Sequence, residues 1–311
     1  INHSIMNKLL KIGNGVPALL FLFSLAFTGC RSGVKGENKE ADSLAVTRSD
    51  AAIYENIKQA EKIFYTLPSP LESAMLIKSA GAVFDEDLLN PVDNTRNYNT
   101  NKSMALNLGI YTCDLSFASL YDQTQLIINY MNAAKKMADG LGILDAISDE
   151  DVEKLEANIH DRDVIMDIVS QTYMNSNSYL EENGQPAIAA IVLTGGWIEG
   201  LYISTRLVDM KDFDNNKLVG RIIDQKLSID ILLRLLEESK GHPAIDEIIA
   251  QIQKIKTVFD KIQVTTTPVR PEYDQAANVT VLKSEVKADL SPDVFTELAR
   301  TVTEIRSNLI K

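Results

Sequence analysis

The chain contains few of the residues on which most enzymes build an active site. It has two cysteines, three histidines and one tryptophan among 311 residues. Because Cys30 has a separate predicted role, Cys113 is left alone and we expect no disulfide in the mature chain. His160 and His242 lie far apart in the sequence, so neither a multi-histidine metal site nor a histidine-based triad is expected.

Recognisable catalytic and cofactor motifs are also missing from the sequence. It has no phosphate-binding loop, no dinucleotide fingerprint, no Gly-x-Ser-x-Gly elbow and no His-Glu-x-x-His motif. We therefore expect no metal and no cofactor, and a binding role is favoured over catalysis.

Positive charge is scarce as well. The chain has 31 basic and 43 acidic residues and a net charge of −12. Such a charge repels phosphate backbones and anionic bilayer surfaces. No basic cluster with interleaved aromatic residues offsets it, so we exclude nucleic acid as a partner.

The N-terminal region is typical of a lipoprotein signal. Basic residues precede an apolar run from Val16 to Phe27, and Gly29 stands directly before Cys30. Such a run is too short to cross a bilayer, which takes about 20 residues in a helix. The sequence predicts a signal peptide over residues 1–29, with translation starting at Met6. Acylation of Cys30 is then the expected membrane anchor.

The residues after Cys30 predict a location. By analogy with enterobacterial sorting, an acidic residue beside the cysteine would indicate the inner membrane, and the stretch from Arg31 to Lys35 has none. That stretch also lacks the acidic cluster that resembles a Bacteroidetes surface-export signal. We expect the periplasmic face of the outer membrane. Residues 30–49 predict a flexible tether with a reach of about 25 Å, in which Ser43 lies in a triplet that resembles an O-glycosylation motif.

Nearly every apolar pattern downstream has the period of a helix. Caps, first-turn prolines and terminal glycines bound about ten helices, so the sequence predicts an all-α bundle over residues 50–263. Its first helix carries an apolar stripe that begins at Ile53. Residues 264–311 predict an extended crossing segment, a small strand pair at best, followed by a C-terminal helix that Ser291 caps and that packs on the bundle.

Two predicted helices are rich in small residues. They run from Met104 to Leu120 and from Pro186 to Leu207, and each has small residues four apart. Such spacing clears one helix face and lets another backbone approach closely, so we expect both helices at the centre of the bundle. The pairs are Gly109 with Cys113 and Gly196 with Gly200. Residues 108–115 and 194–201 also align weakly, which chance explains as well as duplication does.

Asp114 and Glu199 stand out as carboxylates on these apolar helices. Burial would raise their pKa values, and two such groups close together would be able to act as general acid and base, as glycosidases require. The alternative is that each carboxylate reaches solvent or hydrogen-bonds a polar group at a helix crossing. Four further residues would complete a pocket for a small polar ligand: Tyr111, Tyr121, Asp122 and Trp197.

Several segments resemble a family of Bacteroidetes lipoproteins that has no established activity. They are Pro68–Glu72, Leu88–Pro91, Ala105–Tyr111, Asp114–Ser116 and Tyr121–Gln125. The resemblance is clearest from Pro68 to Gly142, and it implies an envelope location and a helical body while leaving function open. Helical nutrient-capturing lipoproteins of glycan-uptake systems are similar in location only, because they are larger and richer in tryptophan.

We therefore expect a membrane-anchored lipoprotein that faces the periplasm and binds a small polar ligand or an envelope protein without catalysis. One alternative is a helical glycan hydrolase, which requires Asp114 and Glu199 to hold carboxyl groups about 5–10 Å apart in an open cleft. A second alternative is a structural envelope component, which requires no concave pocket and a large exposed apolar patch.

Overall fold

The computed structural model describes residues 67–144, 149–266, 270–274, 279–283 and 286–311. The predicted signal, the tether with Cys30 and Ser43, and the helix that begins near Ile53 lie outside the described residues. Within them the chain forms a packed bundle of nine α-helices, which confirms the predicted all-α class.

The helices and shorter elements follow in chain order. The helices are α1 (Pro70–Ser79), α2 (Asn101–Leu120), α3 (Thr124–Gly140), α4 (Asp149–Ala157), α5 (Arg162–Glu182), α6 (Pro186–Arg206), α7 (Lys217–Glu237), α8 (Pro243–Phe259) and α9 (Pro292–Leu309). Short 3-10 turns span Glu86–Leu88, Val92–Asn97 and Met210–Asn215. The strands are β1 (Gln263–Thr266), β2 (Arg270–Asp274), β3 (Val279–Lys283) and β4 (Val286–Asp289).

Side-chain caps start several helices, and the one at Ser291 is the cap that the sequence predicts. The Ser69 hydroxyl accepts from the Glu72 amide at 3.1 Å, and the Glu72 carboxylate accepts from the Ser69 amide at 2.7 Å. Asp161 caps α5, and Ser291 caps α9. These bonds satisfy amides that have no partner inside the helix, so the starts follow from local sequence.

The two helices rich in small residues, α2 and α6, cross at the centre of the bundle. Every residue of α2 from Ala105 to Leu120 is buried. A Cβ added at Gly109 would lie 2.6 Å from the Gly196 amide nitrogen, and one at Gly195 would lie 2.8 Å from the Leu106 carbonyl carbon. The two backbones therefore touch, as the small-residue spacing predicts.

The other helices surround this pair. Helices α1, α3 and α5 pack on α2, while α7 and α9 pack on α6, and α8 packs against α7 and α9. The outer helices are amphipathic. In α8, for example, the isoleucines at 245, 248, 252 and 255 form a buried stripe, which is the pattern of a helix with one face on a core.

Residues 263–289 contain more strand structure than a single pair. Strand β1 pairs antiparallel with β4, and β2 pairs antiparallel with β3, so the two pairs are nested. Alternating β-branched residues favour extended pairing over helix in this segment. The expected crossing is thus a ribbon of two strand pairs beside an otherwise helical body.

Helix α6 is the one described helix that is long and apolar enough to cross a membrane. Its most apolar window has a mean hydropathy of 1.5, and 83% of that window is buried inside the bundle. A core helix of a globular body meets the same criteria. The surrounding helices supply the apolar environment that this composition requires.

Candidate functional site

The structure distributes the six predicted site residues over three places. Asp114 and Glu199 lie in a buried polar cluster between α2, α6 and α9, with Tyr111 close by. Trp197 lies on α6 facing α7, and Tyr121 and Asp122 lie at the end of α2. The predicted pocket for a polar ligand is therefore not assembled by these residues.

Three of the six residues have structural contacts of their own. The Trp197 indole is buried and donates to the Gln225 amide oxygen at 3.0 Å. Tyr121 donates from its hydroxyl to a backbone carbonyl. Asp122 is exposed and forms an ion pair with Arg162. Each contact belongs to ordinary helix packing or to the surface.

Arg306 from α9 joins the buried cluster, and the sequence analysis missed it. Its Nε atom donates to Glu199 Oε2 at 2.9 Å and its Nη2 atom donates to Glu199 Oε1 at 2.7 Å. The guanidinium also donates to the Leu88 carbonyl at 3.0 Å and lies 4.5 Å from the centroid of the Tyr202 ring. The side chains of Arg306 and Glu199 are 6% and 0% exposed, so this ion pair is shielded from water.

Asp114 completes the cluster as a neutral acid. Its Oδ2 atom accepts a hydrogen bond from the backbone amide of Asn90 at 3.0 Å. Its Oδ1 atom is buried and has no hydrogen-bond partner among the described residues. Burial, followed by the negative charge of Glu199, raises the pKa of Asp114 well above its ordinary value. Two carboxyls and one guanidinium are neutral overall when one carboxyl holds a proton, and the raised pKa of Asp114 assigns that proton to Asp114.

The asparagine-rich segment from Asn90 to Ser103 is ordered against this cluster. The side-chain nitrogen of Asn90, Nδ2, donates to the Asn107 side-chain oxygen at 3.0 Å and to the Tyr98 hydroxyl at 3.1 Å. Asn107 and Tyr98 in turn donate to backbone carbonyls at the end of α9. Internal hydrogen bonds therefore account for the buried Asn90, and the segment ties α9 to α2.

This geometry does not suit glycoside hydrolysis. Asp114 and Glu199 are both 0% exposed. That reaction needs space for a sugar and a water molecule beside the carboxyl pair, and the described residues leave none. Among those residues, no group of three or more His, Cys, Asp or Glu side chains is arranged to hold a metal ion. The cluster links three helices and has the properties of a structural element.

The pH dependence of the free energy of unfolding tests whether Asp114 is protonated in the folded chain. The pKa of Asp114 is raised on folding, so above the ordinary carboxyl pKa the folded chain holds a proton that the unfolded chain has released. Stability is then lost as the pH rises towards the raised value. We expect the free energy of unfolding of the wild type to fall as the pH rises from about 4, the ordinary carboxyl pKa, into the alkaline range, and that of Asp114→Asn to fall less steeply.

Urea unfolding across this pH range provides the measurement. Asp122→Asn, which removes an exposed carboxylate, is the matched control and should keep the wild-type slope. Equal slopes for the wild type and Asp114→Asn would contradict a protonated Asp114.

A cleft lined by five helices lies on another side of α2, and we call it the apolar pocket. Its cavity volume is about 60 Å³, which is small beside the range of about 300–1,000 Å³ typical of sites for drug-sized ligands and suits a small apolar group. Its apolar walls include Leu108, Leu115, Met131, Leu155, Val169 and Val192. Lys135 and Asp151 are its charged lining residues.

Helix α5 adds three hydroxyl groups to the wall of the apolar pocket. These belong to Thr172, Tyr173 and Ser176, and none of them makes a side-chain hydrogen bond to the described residues. Burial, with a smaller contribution from the Cys113 thiol, raises the pKa of Tyr173. Its hydroxyl therefore stays protonated at neutral pH. Burial likewise raises the pKa of Cys113, which stays a thiol.

No feature of the sequence indicates the apolar pocket. Its residues come from α2, α3, α4, α5 and α6, and each of them resembles an ordinary core position or helix face. The one pattern in the sequence that could indicate the pocket is the group of hydroxyl residues Thr172, Tyr173 and Ser176 on one face of α5.

Comparison of the chain with protein-family models, with curated proteins and with solved structures gave no match. The resemblance to Bacteroidetes lipoproteins therefore stays a prediction from the residues that carry it. Any functional assignment rests on the chemistry of the apolar pocket and on the N-terminal signal.

Proposed function

We propose that the protein is a lipid-anchored, periplasm-facing envelope protein whose helical body binds a small, mainly apolar molecule without catalysis. The apolar pocket is the observation that supports this proposal. Concave sites with apolar walls and a few polar groups are the usual form of small-molecule sites. The ligand differs from the polar one that the sequence suggests, because the polar candidates are engaged with each other or lie apart.

The anchor in this proposal comes from the signal that ends at Cys30 and from the tether that follows. A tether with a reach of about 25 Å would keep the pocket close to the bilayer, where apolar molecules are concentrated. The alternative of a structural envelope component has less support, since it requires a body without a concave pocket.

Photolabelling of the full chain in membranes tests the binding site. We expect an alkyl diazirine, an apolar photoreactive probe, to label peptides of α2 and α5. Ser176→Leu places a larger side chain in the pocket, where Ser176 is buried, and should reduce labelling at least about tenfold by occupying the space. Peptide mapping by mass spectrometry gives the yield.

The control is Ser178→Leu, which makes the same change at an exposed position of the same helix and should leave labelling unchanged. Thr172→Leu is a second filling variant, and far-ultraviolet circular dichroism checks that each variant is folded. Equal labelling in all variants would contradict the proposed site. The intact mass of the same preparation tests the anchor, because a chain that keeps its signal and has no acyl groups would contradict lipidation at Cys30.

A further inference from the structure

A second cleft, which we call the polar cleft, lies between the 3-10 turn Val92–Asn97 and helix α3. Its cavity volume is about 240 Å³, against about 60 Å³ for the apolar pocket. That volume is close to the lower end of the range of about 300–1,000 Å³ typical of small-molecule sites. The cleft shares no lining residue with the apolar pocket, so it is a separate feature of the molecule. Its lining residues are Val92, Thr95, Asn129, Asn132, Ala133 and Lys136.

Both walls of the polar cleft are fixed by the fold. The lining residues from α3 follow Asn129 at three, four and seven positions, so they share one helix face. The opposite wall is held from inside the bundle, because the Tyr111 hydroxyl donates to the Pro91 carbonyl at 3.1 Å and the Asn94 side chain donates to the buried Asn90 at 3.0 Å. The fold itself thus orders the cleft, which lowers the cost of binding.

The polar groups of this lining are mainly hydrogen-bond donors. Lys136 donates from Nζ to Thr95 Oγ1 at 3.2 Å and forms no ion pair within the part of the chain that the structure describes. The Thr95 hydroxyl keeps its own hydrogen for a further acceptor. The side-chain oxygen of Asn129 accepts from Gln125 at 3.1 Å, which leaves the Asn129 amide hydrogens for a ligand. In a chain with a net charge of −12, this cleft has a positive charge and no acidic lining residue.

We infer that the polar cleft binds a small hydroxylated carboxylate of the size of a sugar acid. Its carboxylate would pair with the Lys136 ammonium and accept from the neighbouring donors, since charge-assisted hydrogen bonds are the strongest of this kind. The inference adds a second site and does not depend on binding at the apolar pocket.

The rest of the lining suits the hydroxylated part of such a molecule. The Asn132 side chain makes no hydrogen bond to the described residues. It offers both a donor and an acceptor, which is the combination that a hydroxyl group matches. Val92 and Ala133 add apolar surface on which the carbon-bound hydrogens of a sugar ring would pack. A sugar acid therefore uses the charge, the amides and the apolar surface together.

Titration of the full chain in detergent micelles with D-glucuronate tests this inference. Saturation-transfer difference NMR detects small molecules that bind weakly, and the titration gives a Kd at a fixed, low ionic strength, where charge pairs are least screened. D-Glucose is the comparison ligand, because it has the same ring and carries a hydroxymethyl group in place of the carboxylate. We expect glucuronate to bind the wild type more tightly than glucose.

Lys136→Met removes the ammonium and keeps an unbranched side chain. We expect it to raise the Kd of glucuronate about three- to fivefold, the effect of an ion pair near water, and to change that of glucose less than about twofold. Lys254→Met is the matched control. Lys254 is exposed on α8 and donates to a neutral side-chain oxygen of Gln251 at 3.0 Å, as Lys136 does to Thr95, so this variant should change neither value.

Asn132→Asp is a second variant that keeps the shape of the side chain and introduces a negative charge at the cleft. It should weaken the binding of glucuronate more than that of glucose, because like charges repel. Asn175→Asp makes the same change at an exposed position of α5 and should have no effect. Far-ultraviolet circular dichroism checks that each variant is folded.

Three outcomes overturn the inference. The first is the absence of saturable glucuronate binding by the wild type. The second is binding that Lys136→Met leaves unchanged or that Lys254→Met weakens equally, since the ligand would then lie elsewhere on the protein. The third is glucose binding to the wild type as tightly as glucuronate, which would rule out recognition of the carboxylate.

Discussion

Replacing Arg306 by methionine is expected to lower the free energy of unfolding by about 3–5 kcal/mol. The change removes two hydrogen bonds to Glu199 and one to the Leu88 carbonyl. Glu199, which is 0% exposed, would then be a buried carboxyl group without its cationic partner. Breaking one side of a buried ion pair has a large effect because the remaining group stays desolvated.

Arg300→Met is the matched control for this variant. Arg300 lies on the same helix and donates to Glu304 at 3.1 Å, with side chains 64% and 63% exposed. Exposed pairs of this kind contribute little, so we expect a loss below about 0.5 kcal/mol. Urea unfolding of both variants gives the comparison, and similar losses would contradict a stabilising role of the cluster.

A second variant distinguishes the effect of breaking the Arg306–Glu199 ion pair from the effect of losing the packing of the long arginine side chain. Adding Glu199→Gln to Arg306→Met removes the unpaired charge, and we expect the double variant to be more stable than Arg306→Met alone. A double variant that is less stable would show that lost packing, and not the orphaned carboxylate, causes the effect.

Gly109→Ala is expected to lower the free energy of unfolding by about 3 kcal/mol or more. The added methyl group would meet the backbone of α6 at Val192 and would lie 2.6 Å from the Gly196 nitrogen. Backbone atoms inside a helix cannot rotate away as a side chain can. The helices α2 and α6 would therefore have to separate, and contacts along the centre of the bundle would be lost.

The same substitution at Gly220 should have the opposite sign. Gly220 is exposed on α7, and nothing lies within 4 Å of the position that a Cβ would occupy. Alanine there restricts the unfolded chain and favours helix, so we expect a gain of about 0.5–1 kcal/mol. Thermal and urea unfolding of the two variants provide the test. A loss at Gly109 no greater than the change at Gly220 would contradict the close crossing.

The buried cluster shows how far the sequence leads towards a site. Asp114 and Glu199 are recognisable as carboxylates on apolar helices, because both helices are apolar on every face. Arg306 is not recognisable as a site residue from the sequence. It lies near the end of an amphipathic helix, where the charged end of a long basic side chain normally reaches water. Because more than a hundred residues separate Arg306 from Glu199 in the sequence, no local pattern predicts that the two side chains pair.

The remaining candidates illustrate the same limit. An aromatic residue such as Trp197 on a central helix faces either a cavity or another helix, and the sequence period does not distinguish the two. In the structure α7 covers it, and Gln225 accepts from its indole. The apolar pocket lies between five helices that do not pack completely against one another. No single segment of the sequence predicts such a gap.

Local physical chemistry in the sequence alone determined the helical class, the capped helix starts and the close approach at Gly109, because periodicity, capping and the lack of a side chain act over a few residues. Only the tertiary structure decided that Arg306 joins Glu199, that both predicted carboxyls are sealed from water, and that five helices leave an apolar cleft beside α2. Those features depend on which helix faces meet, and that is set by the packing of the whole bundle.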